Sequence, residues 1–326
     1  EKGFIYKGHR LVNWCPVSKS AISDEEVIHK EVDGYLWHFR YPIHGEDNYL
    51  VVATTRPETM LGDTAVAVNP NDKRYKKYIG KNVELPLVGR KIPIVSDDYV
   101  DPEFGTGCVK ITPAHDPNDF EIGKRHELEF INIMNDDASI NDNAPKKYIG
   151  QSRFDAREQI VNDIEKAGLL EKTEKYLHTV GYSERGDVPI EFYMSDQWFM
   201  KMSELVKPAI EAVEAGEIRF HPAHWVKTYN HWMKNIKDWC ISRQLLWGHQ
   251  IPVWYHKNDS AKIHVSVDGP KDKESWYQES DVLDTWASSW IWPMGVHDWP
   301  KDSKDLSKFY PTNTLVTGPD IIFFWV

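Results

Sequence analysis

The segment 105–121 places the tightest constraint on the fold of this chain, because a strand pattern runs straight into a turn that carries acids. The apolar residues Val109 and Ile111 alternate with Lys110 and Thr112. Successive side chains of a strand point to opposite faces of a sheet. The alternation therefore predicts a β-strand in which Lys110 and Thr112 share one face.

Two carboxylates follow this strand pattern within a few residues. Asp116 and Asp119 lie on either side of Pro117, and a helical turn at that proline would place both acids on one face. A cation, a hydroxyl and two acids on one short segment form a candidate site, and an ordinary polar strand end accounts for them equally well. His115 is a candidate general base, although a lone histidine beside proline and aspartate is more often structural. Because a third ligand is missing at suitable spacing, we expect no metal site.

The region from about residue 33 to residue 112 consists of short β-rich runs. The runs are Tyr49–Ala53, Thr64–Val68 and Lys91–Val95, and turn clusters such as Asn69–Asp72 separate them. Frequent short strands between turn signals are typical of a barrel or a sandwich. A β-rich unit is therefore predicted here.

A helix is well signalled after this region. Ser152 and Asp155 form a capping-box start for a helix over about 153–167. Its apolar stripe and its terminating glycine are Ala156, Ile160, Ile164 and Gly168. The pattern predicts an amphipathic helix that buries this stripe.

Two further helical patterns follow. One covers about 203–215 and contains Pro208, which conflicts with a helix interior. After about residue 220 the composition becomes rich in tryptophan, and apolar residues from Trp232 to Trp239 recur with helical spacing. We expect helices in both places.

Composition narrows the class of protein. The 326 residues exceed a usual single domain, and 41% hydrophobic residues are enough for real cores. With 39 basic against 50 acidic side chains, the net charge of −11 confines any nucleic-acid contact to local patches. The sequence has no apolar run of membrane-spanning length. Its three scattered cysteines favour a reducing compartment.

The two ends of the chain indicate a fragment of something larger. Residue 1 is Glu, and the final residues Ile321–Val326 form an apolar run without a capping or turn residue. A natural chain rarely stops inside a core element. We therefore expect the sequence to continue on both sides.

The segment Thr54–Thr59 follows an apolar strand pattern and carries helix-start signals. Thr55 and Glu58 fit a capping box, and Pro57 suits a first helical turn. A helix N-terminus here would offer free backbone N–H groups to a phosphate, a carbonyl or a ribose oxygen. A plain helix cap explains the same residues.

Three other motifs combine aromatic and polar residues. They are Ile241–Pro252, Asp284–Ser289 and Gly318–Trp325. The first could bind an anionic or adenine-bearing ligand or could simply pack, and each of the other two, taken alone, is typical of a core.

Taken together, these segments resemble one family closely. Motifs of the valyl-tRNA synthetases occur here in the family's order and over essentially the whole chain: Val12–Trp14, Ala21–Asp24, Thr54–Thr59, Gly105–Asp116, Trp239–Gln244, Asp284–Trp286 and Gly318–Trp325. The motif at 105–121 is the most specific, because the isoleucyl and leucyl relatives carry looser versions of it.

The resemblance implies an α/β protein in which a β-rich, barrel-like editing domain with helices is inserted into a partial Rossmann-type catalytic domain. The implied ranges are 1–32 for the end of the first catalytic half, 33–195 for the editing domain, and 196–326 for a linker and the start of the second half. The family's ATP-site signatures, His-Ile-Gly-His and Lys-Met-Ser-Lys-Ser, are absent from the sequence and are expected outside it. The chain alone should therefore not activate valine. ATP with Mg is expected only in the full-length enzyme, and no cofactor is expected for editing.

The editing reaction implied by the resemblance is hydrolysis of threonine from mischarged Thr-tRNA(Val). Asp119 matches the acid that holds the substrate α-ammonium, and Asp116 is the candidate reader of the threonine hydroxyl. Lys110 and Thr112 would line the same pocket as catalytic-site residues, and Phe104 would form an apolar wall.

The remaining expected substrate contacts come from the threonine-rich segment. Thr54, Thr55, Arg56 and Thr59 match the residues that cradle the terminal adenosine of the tRNA. Glu58 and His115 complete the expected set.

An incomplete valine pocket is implied in the flanking region by Trp286, Asp320, Ile321 and Trp325. The sequence departs from the family there, because Ala287 stands where phenylalanine is expected and Pro319 where tyrosine is more usual.

The expected partner is the 3′ end of tRNA(Val) carrying a threonyl ester, and the protein is expected to be a cytoplasmic monomer without a membrane partner. Two other functions stay open. The chain could be a tRNA acceptor-end binding module without hydrolytic activity of its own, or a structural piece whose site is hidden.

Overall fold

The computed structural model describes residues 2–322 and 326. The chain forms two compact units, Glu1–Gly8 with Asp196–Val326, and His9–Ser195. They are called the 196–326 unit and the 9–195 unit below. The three-part division predicted from the sequence stays a prediction.

The described residues contain strands and helices in both units. The strands are β1 (Ile5–Cys15), β2 (Ser20–Ala21), β3 (Val27–Pro42), β4 (Tyr49–Thr54), β5 (Ala65–Val68), β6 (Asn82–Glu84), β7 (Lys91–Ser96), β8 (Cys108–Ile111), β9 (Leu170–Ser183), β10 (Val188–Pro189), β11 (Glu191–Met200), β12 (Trp239–Cys240), β13 (Ser242–Arg243), β14 (Val253–His256), β15 (Asp259–Val265), β16 (Trp276–Gln278) and β17 (Val282–Leu283). The helices are α1 (Pro117–Arg125), α2 (Arg153–Lys166), α3 (Met202–Glu214), α4 (Trp225–Lys234), α5 (Thr285–Ser289), α6 (Trp292–Gly295) and α7 (Lys304–Phe309).

The 9–195 unit contains two four-stranded sheets. One has the order β6-β7-β5-β8, in which β5 pairs parallel with β7 and antiparallel with β8. The other has the order β10-β9-β3-β4, with antiparallel pairing from Val27↔Ser183 to Phe39↔Leu170 between its two long strands. Both sheets are open. The fold is mixed α/β, and in the part of the chain that the structure describes the expected barrel-like arrangement does not appear as a closed barrel.

The 196–326 unit is built on smaller antiparallel sheets. Its sheets include β15-β14-β16 and the pair β13–β17, and β11 pairs with β12 through Phe199↔Cys240. Among the described helices, none is both long and apolar enough to cross a membrane.

The core of the 9–195 unit lies on both sides of β5. Val66 and Val68 face the larger apolar cluster, whereas Ala65 and Ala67 face a smaller one that includes Ile122 of α1. Each of these strand residues is fully buried. A strand covered on both faces is uniformly apolar, and for this reason the run at 64–68 was recognisable from the sequence.

The prediction of the helix after residue 152 is confirmed. Ser152 accepts the backbone N–H of Asp155 as the N-cap of α2. Ala156, Ile160 and Ile164 are fully buried in the larger cluster. Burial of this stripe against the sheet is the reason that the pattern predicted the helix correctly.

The later helical predictions have mixed outcomes. Helix α3 forms with Pro208 inside it, as predicted. Helix α4 ends at Lys234, and Trp239 lies in β12, so the prediction of helix as far as Trp239 is wrong. Trp239 pairs with Met200 of β11 instead. A strand partner from a distant part of the chain overrides the local spacing there.

The join between β8 and α1 sets the geometry of the candidate site. Strand β8 ends before Pro113, which lacks the N–H needed to continue a ladder. Helix α1 then packs back closely, because a Cβ at Gly123 would lie 2.8 Å from side-chain carbons of Pro113. A glycine at this position allows the close approach that brings the first turn of α1 to the end of β8.

Candidate functional site

Lys110 lies at the centre of a buried polar cluster in the 9–195 unit. Its Nζ donates to Thr112 Oγ1 at 2.6 Å and to Thr59 Oγ1 at 3.0 Å, and it lies 3.3 Å from Asp63 Oδ1. The three hydrogens of the ammonium thus find three acceptors. The sequence-based placement of Lys110 and Thr112 on one strand face is confirmed by their contact.

Asp63 is the member of this cluster that the sequence reasoning missed. Its side chain is fully buried, and it accepts hydrogen bonds from Tyr41 Oη at 2.7 Å and Thr112 Oγ1 at 2.6 Å. Burial raises the pKa of Asp63, and the charge of Lys110 opposes the rise. In the sequence Asp63 stands between Gly62 and Thr64, and its only signal is an acid two residues before the wholly apolar strand β5.

Asp119 lies in the first turn of α1, and its carboxylate reaches the end of β8. The residue is 7% exposed, and its Oδ2 accepts the backbone N–H of Thr112 at 2.9 Å. Burial raises the pKa of Asp119 to about 7; Lys110 opposes this rise, and the negative charges of Asp116 and Asp63 add to it. A buried carboxylate with a pKa near neutrality gains strongly from the arrival of a cation.

Asp116 occupies a different environment from Asp119. It is the N-cap of α1, and its Oδ1 accepts the backbone N–H groups of Asn118 at 2.8 Å and Asp119 at 3.1 Å. It is only partly buried. The predicted helical turn after Pro117 is confirmed, but the two acids do not share one environment, because the cap residue lies just outside the helix.

The capping box predicted for Thr55 and Glu58 is wrong. Residues Pro57–Gly62 form a 3-10 helix whose N-cap is Arg56, without a side-chain cap. Glu58 is fully buried, and its carboxylate is held by Arg157 through two contacts of 2.8 Å and by Arg56 at 3.5 Å. Two arginine partners compete successfully with a backbone N–H for a buried carboxylate.

The threonine-rich segment is anchored to the turn before α1. Arg56 donates through Nη1 to the backbone oxygen of His115 at 3.1 Å and also pairs with Glu191. Thr54 Oγ1 accepts the backbone N–H of Arg56 at 3.0 Å, and Thr55 is partly buried. The segment 54–59 and the segment 110–119 therefore form one connected polar region.

His115 does not have the geometry of a general base. The side chain is buried, and its pKa is lowered to about 3 by burial, with the charges of Arg56 and Lys110 adding to the effect. Its Nε2 accepts the backbone N–H of Ile133 at 3.0 Å, which leaves the proton on Nδ1. The ring is neutral, and its basic nitrogen is already engaged.

The remaining predicted residues are Phe104, which was expected at this site, and the separate set that was expected to form a valine pocket. Phe104 lies in the loop before β8 and is 70% exposed. In the other unit, Trp286 lies on α5, where its backbone N–H donates to Asp284 Oδ1 at 2.8 Å, whereas Asp320 and Ile321 lie in the 3-10 helix Pro319–Ile321. Trp325 lies outside the described residues.

Two further observations concern expectations for this chain. Ala287, which replaces an expected phenylalanine, packs against the apolar cluster that contains Trp198 and Ile241. Throughout the described part of the chain, no group of three or more His, Cys, Asp or Glu side chains is arranged to hold a metal ion.

Comparison with known proteins defines the class. The family model described as tRNA synthetases class I (I, L, M and V) matches residues 1–269 and 258–326. The chain therefore belongs to the class I tRNA synthetase family.

Individual relatives narrow the class of protein further. The chain is 57% identical to the valine–tRNA ligase of Bacillus licheniformis over 328 aligned residues, 57% to that of Geobacillus stearothermophilus over 327, and 56% to that of Clostridium acetobutylicum over 331. Each alignment covers 100% of this chain and 37% of the relative. The chain thus spans little more than a third of the length of these relatives.

Proposed function

We propose that this chain is part of a valine–tRNA ligase and that its region 33–195 is an editing domain, which hydrolyses the ester of threonine wrongly attached to tRNA(Val). Within the same proposal, the whole protein attaches valine to tRNA(Val) with ATP and Mg through a Rossmann-type catalytic domain. We further propose that it acts as a cytoplasmic monomer.

The buried carboxylate of Asp119 is the observation that supports editing most strongly. Its pKa of about 7 means that burial disfavours the anion in the free protein. The α-ammonium of an aminoacyl ester supplies the missing positive charge, because an opposite charge within contact distance favours the ionised carboxylate. Asp119 is therefore the proposed anchor for the amino acid.

Selection of threonine over valine follows from the polar lining of the cluster. An apolar pocket rejects a nearly isosteric hydroxyl amino acid only weakly, and valine–tRNA ligases are the standard example of this difficulty. A carboxylate reverses the preference, because a valine methyl group would leave that carboxylate desolvated and unpaired. Asp116 is the proposed reader of the threonine hydroxyl, with Lys110 and Thr112 lining the same pocket.

Hydrolysis requires water to attack the ester carbonyl. The bond between the carbonyl carbon and the ribose oxygen breaks, threonine is released, and the ribose oxygen takes up a proton. His115 is unsuited as the base, because Nε2 already accepts the Ile133 N–H. Orientation of water and ester by fixed polar groups supplies the rate enhancement in this proposal. Thr54, Thr55, Arg56 and Thr59 cradle the terminal adenosine, and the ion pair of the buried Glu58 with Arg157 holds their segment in place.

The test uses the 326-residue chain with Thr-tRNA(Val) and Val-tRNA(Val). We expect selective release of threonine and a loss of about 1,000-fold in the Asp119→Ala variant, as for removal of one partner of a buried charge pair. Asp142→Ala, a change at an exposed aspartate of the same unit, is the matched control and should hydrolyse like the wild type.

Other outcomes would contradict the proposal. Binding of both tRNAs without release of an amino acid would favour an acceptor-end binding module. Undiminished hydrolysis by Asp119→Ala would refute the assignment of the anchor.

A further inference from the structure

Glu191, the first residue of β11, is a buried carboxylate that joins two arginines. Its Oε1 accepts a hydrogen bond from Arg153 Nη1, and its Oε2 accepts one from Arg56 Nη2. Arg153 is itself buried at the start of α2, and its Nη2 donates to the backbone oxygen of Pro189 at 2.7 Å. Arg153 alone therefore gives Glu191 a buried cationic partner, and the contact with Arg56 is additional.

The guanidinium of Arg56 is held by acceptors from three separate segments of the 9–195 unit. Its Nη2 donates to Glu191, and its Nη1 donates to the backbone oxygen of His115 at 3.1 Å. Its Nε lies 3.5 Å from Glu58 Oε1. Because arginine presents its donors in a rigid planar fork, contacts through all three nitrogens define the orientation of the group.

Arg56 keeps further donors for a ligand. A guanidinium has five N–H groups, and these contacts use three of them. Among the residues that the structure describes, no acceptor is found for the two other Nη hydrogens. The Arg56 side chain is 28% exposed, whereas those of Glu58 and Glu191 are 0% and 4% exposed. The arginine thus has access to solvent, and the carboxylates that orient it do not.

We propose that Glu191 is a positioning residue of the hydrolytic site, which fixes the Arg56 guanidinium so that its remaining Nη hydrogens donate to an oxygen of the terminal adenosine nucleotide of the bound ester. This inference rests on the proposed function, in which Arg56 helps to cradle that nucleotide. A guanidinium is a suitable donor for phosphate and for ribose oxygens. Because the group is oriented before the ligand arrives, binding does not have to order a long flexible side chain.

The test measures binding of two probes to the 326-residue chain by calorimetry. Both are the non-hydrolysable threonyl amide of 3′-amino-3′-deoxyadenosine, one with a 5′-phosphate and one without it. In Glu191→Gln, we expect affinity for the phosphorylated probe to fall about three- to tenfold, the cost of ordering one long side chain on binding. A loss confined to this probe assigns the contact to the phosphate, and an equal loss for both probes assigns it to the ribose. With Thr-tRNA(Val), KM should rise by a similar factor and kcat should change less than about twofold.

A double-mutant cycle with Arg56→Met separates positioning from a general disturbance of the fold. Arg56→Met should weaken binding of the phosphorylated probe about tenfold or more, as for loss of a hydrogen bond from a charged group. The double variant should bind like Arg56→Met within about twofold, because Glu191 acts through Arg56. Glu191→Asp keeps the charge and should recover part of the affinity that Glu191→Gln loses. It takes the place of Glu191→Gln in the cycle if the latter does not fold.

Asp97→Asn is the matched control. Asp97 is likewise a buried carboxylate of the 9–195 unit with two basic partners, Arg125 at 2.9 Å and His126 at 3.0 Å. Its removal tests what the loss of a doubly partnered buried acid does in general. We expect this variant to bind both probes like the wild type, even where its free energy of unfolding is lower.

The outcomes distinguish this inference from the proposed function. If Glu191→Gln binds both probes like the wild type while hydrolysis depends on Asp119, the inference about Glu191 is refuted alone. Additive losses in the double variant would also refute it, because Glu191 would then act independently of Arg56. If the wild type does not hydrolyse Thr-tRNA(Val) but Glu191 and Arg56 are coupled in binding the probes, the proposed function is refuted and the positioning role stands. A wild type that binds neither probe would overturn both.

Discussion

Two buried carboxylates, one in each unit, differ in how completely they are provided with partners. Glu279 in the 196–326 unit accepts hydrogen bonds from Lys7 at 2.8 Å, Trp198 at 3.0 Å and Tyr255 at 2.9 Å. Asp119 in the 9–195 unit accepts the backbone N–H of Thr112 at 2.9 Å. Both residues are similarly buried, at 8% and 7% exposed.

The two acids have opposite pKa shifts, and their partners contribute to the difference. Burial opposes ionisation of Glu279, but its hydrogen bonds outweigh burial and the pKa lies below its ordinary value. For Asp119, burial dominates and the pKa rises to about 7. A carboxylate that is already satisfied stabilises the fold, whereas one that lacks a full set of partners is available to a cationic ligand. This contrast separates the structural acid from the proposed functional one.

The largest stability effect is predicted for Asp119→Asn. The folded-state pKa of about 7 exceeds the ordinary aspartate value, so the wild type loses stability as pH rises towards and through 7. Asparagine can still accept the Thr112 N–H but carries no charge. Relative to the wild type, we expect the variant to gain about 2–4 kcal/mol in the free energy of unfolding between pH 4 and pH 8.

Urea unfolding at the two pH values measures this gain. Asp142→Asn, at an exposed site of the same unit, is the control and should show no such pH dependence. A stability difference that is equal at pH 4 and pH 8 would remove the physical basis for treating Asp119 as an under-satisfied acid.

Glu279→Gln should lower the free energy of unfolding, which is the opposite of the change expected for Asp119→Asn. The change removes the charge that three side-chain donors and the backbone N–H of Ser280 stabilise, and we expect a loss of about 1–3 kcal/mol at pH 7, moderated by the partly exposed position of Lys7. Because the folded-state pKa is lowered, the wild-type advantage is present above the ordinary pKa and disappears as pH falls through the folded value.

Urea unfolding against pH measures this effect, and hydrolysis of Thr-tRNA(Val) provides the second readout. A drop in hydrolysis that exceeds the drop in folded protein would mean that Glu279 is more than structural.

The smallest effect is predicted for Tyr255→Phe. This variant removes one of the three side-chain donors to Glu279 and retains the ring that stacks on Tyr277 with centroids 5.3 Å apart. We expect a loss of about 1 kcal/mol in the free energy of unfolding. Tyr277→Phe, at the exposed partner ring, is the matched control; if both variants cost the same, the bond to Glu279 contributes nothing measurable.

Local patterns were sufficient where a residue's role depends on its near neighbours. The N-cap and buried stripe of α2, the apolar run of β5 and the shared face of Lys110 and Thr112 were all predicted from spacing. Each is a consequence of helix or strand periodicity. The family resemblance was likewise readable, and the comparisons confirm it.

Contacts between residues far apart in the sequence could not be predicted from local patterns. Glu58 looked like half of a capping box, but its partner Arg157 comes from a helix 99 residues further along the chain. Asp63 meets Lys110, which lies 47 residues further along the chain, and no local pattern around Asp63 predicts that contact. Asp97 likewise meets Arg125, which lies 28 residues further along the chain.

The sequence by itself determined the family, the main helices and strands, and which residues carry acids, cations and hydroxyls. Only the tertiary structure decided how those groups behave. Asp116 and Asp119 are the same residue type three positions apart, yet one caps a helix at the surface and the other has its pKa raised to about 7. The reason is physical: a pKa depends on lost water and on nearby charges, and folding alone assembles both from distant parts of the chain.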